Sequence, residues 1–424
     1  MKLINEDFLW FAWKYKVFPV NTLYTTDGSP VEIIQTGALN TNSGPDFTNS
    51  QVKIGDTHWA GNVEMHCKTS DWNLHGHSSD PAYKNVILHV VYEHDGEIID
   101  NIPVLELKGF VPENIIGTYQ NWKDNKTWVP CAPQIHLAGE FTRNIWLTRM
   151  LTDRLETKSL YIQKILEKNK NDWSETFYQL LARNFGFKVN SGPFERLATT
   201  IPLKTLARHK NNHSQIEAMI FGQAGLLEGE YTEYYPVALQ REYNFLAGKY
   251  SLQPLEQQEW KFLRMHPRNF PTYRLSQFAS LIFKSSHLFS HILEAKTLKE
   301  AIGLFDVSAS DYWISHYNFE KESAKKVKPK LGKASIDIIL INTAIPMLFT
   351  YGKLRELPDM QAKALDWLEQ LKPEKNNITR GWENLGFENK SAYQSQALIQ
   401  LKNEFCSNFK CLECGIGVSI LRKN

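Results

Sequence analysis

The run His58-Trp59-Ala60-Gly61-Asn62-Val63-Glu64-Met65-His66-Cys67-Lys68 reads as one long β-strand, and the sequence on either side can be placed around it. Alternate side chains of a strand share a face. Glu64, His66 and Lys68 therefore project together, while Val63, Met65 and Cys67 project the other way. Ser50 to Ile54 is a second strand, and Gly55-Asp56 makes the tight turn that pairs the two antiparallel. Downstream, residues 69–85 separate the run from an apolar strand, Val86 to Glu93. That is about the minimum for a crossover between parallel strands. Val31 to Thr36 and Ile102 to Leu107 add two more strands. Inside the crossover, Asp80-Pro81-Ala82-Tyr83 predicts a short helix with Asp80 as cap and Pro81 at its first position. Ahead of the strands, Glu6 to Phe18 reads as an aromatic helix capped by Asn5 and stopped by Pro19. The order is helix, three strands, short helix, strand.

Six of the chain's 13 histidines (58, 66, 75, 77, 89 and 94) fall in or beside these segments. A half-buried strand that gives three same-face positions to ionisable groups asks for a reason. Asp46, following Pro45, lies just before the paired strand, and the turn brings it near Glu64. The two carboxylates suit Mg²⁺ or Mn²⁺, and His66 shifts the preference toward Mn²⁺ or Zn²⁺. His75 and His77 alternate across Gly76 in a loop able to fold back and supply further ligands. Asp71-Trp72 reads as a turn with an aromatic anchor, and Glu6 can point toward the site from its helix. His89, in an apolar strand, reads as a core histidine. The competing reading is a solvent-facing edge strand with Asp46 capping a turn.

The remaining sequence is helical in texture from about Pro133. The candidates are Phe141 to Asn169, Trp173 to Phe185, Pro193 to Ala198, Gln215 to Leu227, Tyr243 to Tyr250, Leu275 to Phe283, Asp337 to Tyr351, Gln361 to Leu371 and Gln394 to Asn408. Near the end, Cys406-x4-Cys411-x2-Cys414, followed by Gly415 and Gly417, is a second chemical signal. Thiolates at this spacing wrap a tetrahedral ion or a cluster. Cys131, Cys67 or a histidine would be the fourth ligand. Zn²⁺ is the expected guest of a stapling site, with an iron–sulfur cluster as the alternative. Arg264, Arg268 and Arg274, interleaved with His266, Phe270, Tyr273 and prolines, can present guanidiniums to a phosphate backbone or pair with local acids. Lys321, Lys325, Lys326, Lys328, Lys330 and Lys333 read as a solvated loop. Phe221-Gly222-Gln223-Ala224-Gly225 lacks the Lys-Ser/Thr of a phosphate-cradling loop and reads as close helix packing.

Bulk properties narrow the classes. With 424 residues, 42% hydrophobic and 22% charged, the sequence has the make-up of a soluble globular protein with well-buried cores. A net charge of +2 gives no strong field, so a nucleic-acid surface has to be a local patch. No apolar segment precedes Glu6 and Asp7, and there is no uninterrupted run of 18 apolar residues. Secretion and membrane spanning are not expected. Five cysteines in so long a chain fit a reducing cytoplasm rather than a disulfide framework.

The N-terminal constellation resembles the PD-(D/E)xK nuclease superfamily. That superfamily has a helix-strand-strand-strand-helix-strand core, an Asp at the second strand and an acid-x-Lys on the third. Pro45-Asp46 matches the first element. Glu64-Met65-His66 matches the second except that His66 stands at the lysine, with Lys68 two residues on. The His-rich loop also looks like that of the mismatch-repair nucleases in the superfamily. Over nearly its full length the chain resembles an uncharacterised bacterial domain-of-unknown-function family. The shared segments are Gly-Pro-Asp-Phe, Gly-Asn-Val-Glu-x-His, Asp-Trp-x-x-His-x-His and Leu-His-Val-Val, and that family brings no activity with it. These resemblances imply an α+β protein: a nuclease-like domain at 1–130 with a small mixed β-sheet and flanking helices, then an α-helical domain at 131–424. The implied activity is metal-dependent phosphodiester hydrolysis of DNA or RNA. In it, Asp46 and Glu64 hold the metal, His66 acts on water and Lys68 steadies the phosphate. A non-catalytic nucleic-acid-binding or scaffold protein with a degenerate site is the alternative, and a metal-dependent hydrolase of another substrate is a third reading.

Overall fold

A computed structural model describes residues 4–96, 101–285, 287–323, 326 and 329–423. The fold is mixed: a sheet in the N-terminal part and a larger helical part. By internal packing the chain divides into two units. The first comprises Met1–Met150, Arg380–Phe387 and Leu398–Asn424, and the second Leu151–Thr379 and Glu388–Ala397. The cut expected at 130/131 would leave the cysteine-bearing tail with the helices, whereas packing groups that tail with the sheet.

The first unit is built on a seven-stranded sheet: β1 (Leu23–Tyr24), β2 (Pro30–Gln35), β3 (Ala38–Leu39), β4 (Phe47–Ile54), β5 (Thr57–Lys68), β6 (Val86–Glu93) and β7 (Val104–Glu106). The order is β1-β2-β4-β5-β6-β7, with β3 paired to β4. The β4–β5 hairpin turns at Gly55, whose φ of +58° is the left-handed conformation that glycine adopts without strain, and pairs Ile54 with Thr57. The 69–85 crossover then returns the chain so that β5 and β6 run parallel, Glu64 beside His89 and His66 beside Val91. Val63, Met65, Leu88, Val90 and Leu105 on one face and Glu64, His66, His89 and Val91 on the other are all buried, so the central strands are covered on both faces.

Helix α1 (Glu6–Tyr15) packs against β5 and buries Phe8, Leu9, Phe11, Ala12 and Trp13. It ends three residues before the expected Phe18. Lys16 turns left-handed (φ 49°), and its N–H closes back on Ala12 and Trp13 carbonyls. Asn5 holds the cap position without making the cap bond; its amide donates to Asp7 instead. The crossover carries a one-turn helix α2 (Asp71–Leu74) and two tight turns, the second capped as expected by Asp80, which accepts from the Ala82 N–H at 2.9 Å. A helix that the sequence reading passed over, α3 (Glu113–Asp124), buries Ile115, Tyr119 and Trp122. The long helix α4 (Glu140–Lys168) follows, and the unit boundary falls within it.

The second unit is helical apart from a two-stranded ribbon, His316–Asn318 with Lys321–Glu322. Gly222 sits flat against the Tyr243 ring, where no side chain fits, so the glycine-rich segment serves close helix packing. The helical run Lys333–Leu354 is long and apolar enough to cross a membrane, but 67% of its most apolar window is buried within the protein. Arg274 is buried, stacked on Phe187 and hydrogen-bonded to Asn269, Gln277 and Ser335. It is therefore spent inside this unit and is not offered to a phosphate, whereas Arg264 and Arg268 are exposed. In the lysine-rich segment, Lys330 pairs with Asp306 at 2.7 Å, and Lys325 and Lys328 lie outside the described residues.

Candidate metal centre

Glu64 and His66 come from the buried middle of β5, where each is about 95% or more shielded from solvent. The hairpin partner brings Asp46 beside them. The Asp46 N–H donates to Glu64 Oε2 at 3.1 Å, and the Met65 N–H donates to Asp46 Oδ2 at 2.9 Å. The expected meeting of the two acids is thus present, locked through the backbone on both sides. His75 and His77 arrive from the loop after α2, which Trp72 anchors. That indole is 1% exposed, lies edge-on to His77 and close against His89, and donates to Ser78 Oγ at 3.2 Å. Tyr83 stacks on His77, with ring centroids 3.8 Å apart, and lies edge-on to Trp72.

The result is a convergence of lone pairs. His66 Nε2 lies 3.0 Å from His75 Nδ1, 3.3 Å from His77 Nε2 and 3.5 Å from Glu64 Oε1, and His77 Nε2 is 3.4 Å from the same oxygen. The ligand atoms of His66, His75 and His77 all fall within 4.8 Å of one another. A neutral imidazole has one N–H, so His66 cannot satisfy all of these neighbours and His89 as well. His66 Nδ1 lies 2.9 Å from His89 Nε2. If Nδ1 carries the proton and donates there, Nε2 presents its lone pair to the cluster, the orientation that a ligating histidine takes. His89 is thus a buried support for His66, and its own Nδ1 finds no partner among the described residues.

Electrostatics follow from burial. Glu64 is pushed up to about 9, first by burial and then by the neighbouring Asp46 and Glu6 charges. Asp46 rises to about 6, again by burial first; the Trp10 indole, which makes no well-formed hydrogen bond, and the Met65 N–H oppose the rise. His66 falls to about 2 and His89 to about 3, both because burial disfavours the imidazolium and neighbouring histidines repel it. Burial also lowers His77 and raises Glu6, which lies near enough to His75 for the two to interact. Every shift favours the uncharged form: the imidazoles are neutral, as ligands must be, whereas Glu64 has to give up its proton to ligate.

A pH dependence of the metal-free chain follows. The raised Glu64 contributes stability that is fully present below its unfolded value of about 4.5 and lost as pH climbs through about 9. The depressed His66 and His89 contribute stability that is present above about 6.5 and lost as pH falls toward their folded values. In chelator, the contribution of these three groups to thermal stability should therefore peak near pH ~6.5 and decline on the alkaline side. Glu64→Gln should flatten the alkaline limb, and an unchanged limb would contradict the raised carboxyl.

The other expected residues are placed elsewhere. Lys68 is exposed, and its ammonium lies 3.6 Å from Asp95, so it faces that acid rather than Asp46 and Glu64. The face assignment from alternation holds, but the long side chain runs to a neighbour beyond β6. His58 is exposed opposite Lys53, and His94 bonds Thr69. Cys67 donates its thiol to the Ile4 carbonyl. Cys131, Cys406, Cys411 and Cys414, all free thiols, line one small cavity within the first unit. Tyr83 was not singled out from the sequence, and its place six residues before His89 gave no pattern to find it by.

Two searches, of curated proteins and of solved structures, give no match to this chain. A family model described as "Protein of unknown function (DUF2851)" matches residues 6–377, a span that takes in the whole histidine–carboxylate cluster. The chain therefore belongs to the DUF2851 family.

Proposed function

We propose that the first unit is a metal-dependent hydrolase acting on phosphodiester bonds of DNA or RNA. The observation that carries the metal is the meeting of three imidazole nitrogens and the Glu64 carboxylate around His66 Nε2. A nitrogen-rich donor set of this kind favours Zn²⁺ or Mn²⁺ over Mg²⁺. A divalent ion there would lower the pKa of a coordinated water and neutralise charge developing on a phosphoryl oxygen. His66, His75, His77 and Glu64 would hold the ion, with His89 fixing the His66 ring. Asp46, raised to about 6, is the side chain whose ionisation suits accepting a proton near neutral pH. His66 does not suit that task, because both its nitrogens are engaged and it stays neutral.

The phosphodiester substrate is supported by the order of elements: α1, the antiparallel strands β2, β4 and β5, the short helices of the crossover, and the parallel β6. It is supported again by the contact of the two acids through the backbone, Asp46 N–H to Glu64 and Met65 N–H to Asp46. Purified protein with Mn²⁺ or Zn²⁺ is expected to cut single- or double-stranded DNA or RNA, and Asp46→Ala combined with Glu64→Ala to abolish cutting. Cutting that survives both changes overturns the assignment. The displacement of Lys68 to Asp95 favours a second reading, a nucleic-acid-binding protein without catalysis. Under it, salt-dependent binding persists in the double variant and no cutting is seen with any metal.

A further inference from the structure

We propose that Cys131, Cys406, Cys411 and Cys414 form a second metal centre, a thiolate-ligated site that takes Zn²⁺ or an iron–sulfur cluster. The spacing Cys-x4-Cys-x2-Cys brings three sulfurs from one short segment, and the fold supplies the distant fourth. The segment is shaped for this. Gly417 lies directly on the Cys411 carbonyl and Gly415 on the Trp146 ring, and a side chain at either position would push the loop off the site. Cys414 takes the N-cap position of the helix Gly415–Leu421, without a side-chain cap bond. The buried Trp146 indole N–H, on the ring that packs against Gly415, has no hydrogen-bond partner among the described residues. None of the cysteines is in a disulfide, so the sulfurs are available as ligands.

The two guests ask for different ring sizes. A single Zn²⁺ at about 2.3 Å from each sulfur holds them roughly 3.8 Å apart. In this structure the four thiols line one small cavity. It either closes on one ion or spans a cluster, and the shared chemistry is ligation by four thiolates.

The test uses the full chain, purified without oxygen. Elemental analysis, acid-labile sulfide and a visible spectrum separate the guests: zinc without colour, or iron with sulfide and brown absorption. X-ray absorption at the metal edge of the unaltered protein is expected to show a sulfur shell, at about 2.3 Å for zinc rather than the 2.0–2.1 Å of imidazole. Cys411→Ser combined with Cys414→Ser should lose this metal, while His75→Ala combined with His77→Ala should keep it. The two centres can therefore fail independently. To separate loss of ligands from loss of fold in the serine variant, the unaltered protein is also treated with a mercurial, which should release the metal as the thiols are capped. A chain carrying no sulfur-ligated metal, or one whose metal stays bound after capping, overturns the proposal.

Discussion

In a His66→Ala chain, affinity for Zn²⁺ or Mn²⁺ is expected to fall by more than about 100-fold, since even changes behind the ligands of a metal site cost about 10–100-fold. His66 is the hub of the cluster: its Nε2 faces His75, His77 and Glu64 at once. Removing the imidazole deletes one donor and frees the other two from their fixed separation. It also strips His89 of its partner, leaving a second buried imidazole unsatisfied. Calorimetric titration of the metal into chelator-treated protein reads the effect directly. The same titration of the unaltered chain, repeated in buffers of different ionisation enthalpy, should show about one proton released at pH 7, because Glu64 holds its proton until a cation arrives. Unchanged affinity in His66→Ala would remove the histidines as ligands.

Trp72→Ala is expected to destabilise the first unit by about 3–5 kcal/mol, the range for deleting a fully buried large aromatic. Trp72 is the wedge under the ligand loop, in contact with His77, His89 and Tyr83. Its loss leaves His75 and His77 on an unanchored segment, so weaker metal binding should accompany the lower stability. Trp72→Phe separates packing from hydrogen bonding. It keeps a ring against both histidines and forgoes only the bond to Ser78, worth about 1 kcal/mol. Urea unfolding followed by amide circular dichroism gives the stability, and calorimetry gives the affinity. If Trp72→Ala unfolds no earlier than the unaltered chain, the anchor role is wrong.

Local signals carried most of the sheet. Period-two alternation in β5, the Gly55-Asp56 turn and the length of the 69–85 crossover were enough to place three strands with their directions. The juxtaposition of Asp46 with Glu64 follows from that hairpin alone. What local pattern could not carry was the path of long side chains and the company of distant ones. Lys68 shares a face with Glu64, yet four methylenes take its charge to Asp95. Among the candidate fourth thiols, Cys131 and Cys67 looked equivalent until tertiary packing sent one to the tail cysteines and the other to the Ile4 carbonyl. Helix α3 is a different case. Ile115, Tyr119 and Trp122 keep helical spacing after Pro112, so its signal was present but diluted by polar neighbours. The wide turns at Leu340–Ala344 and Leu401–Cys406, inside otherwise α-helical runs, have no sequence mark that local rules read.

The unit that carries the sheet is assembled from separated pieces of sequence: 1–150, 380–387 and 398–424. A ribosome therefore delivers residues 151–379 before the last of these pieces emerges, and the intervening helices can finish folding first. Until then α3 and Trp128 wait with apolar surface that Phe409, Trp382 and the helix Gly415–Leu421 will later help to cover, a window in which a chaperone has something to hold. A premature stop codon near position 398 would thus injure the histidine-bearing unit at the other end of the message and leave most of the helical one intact.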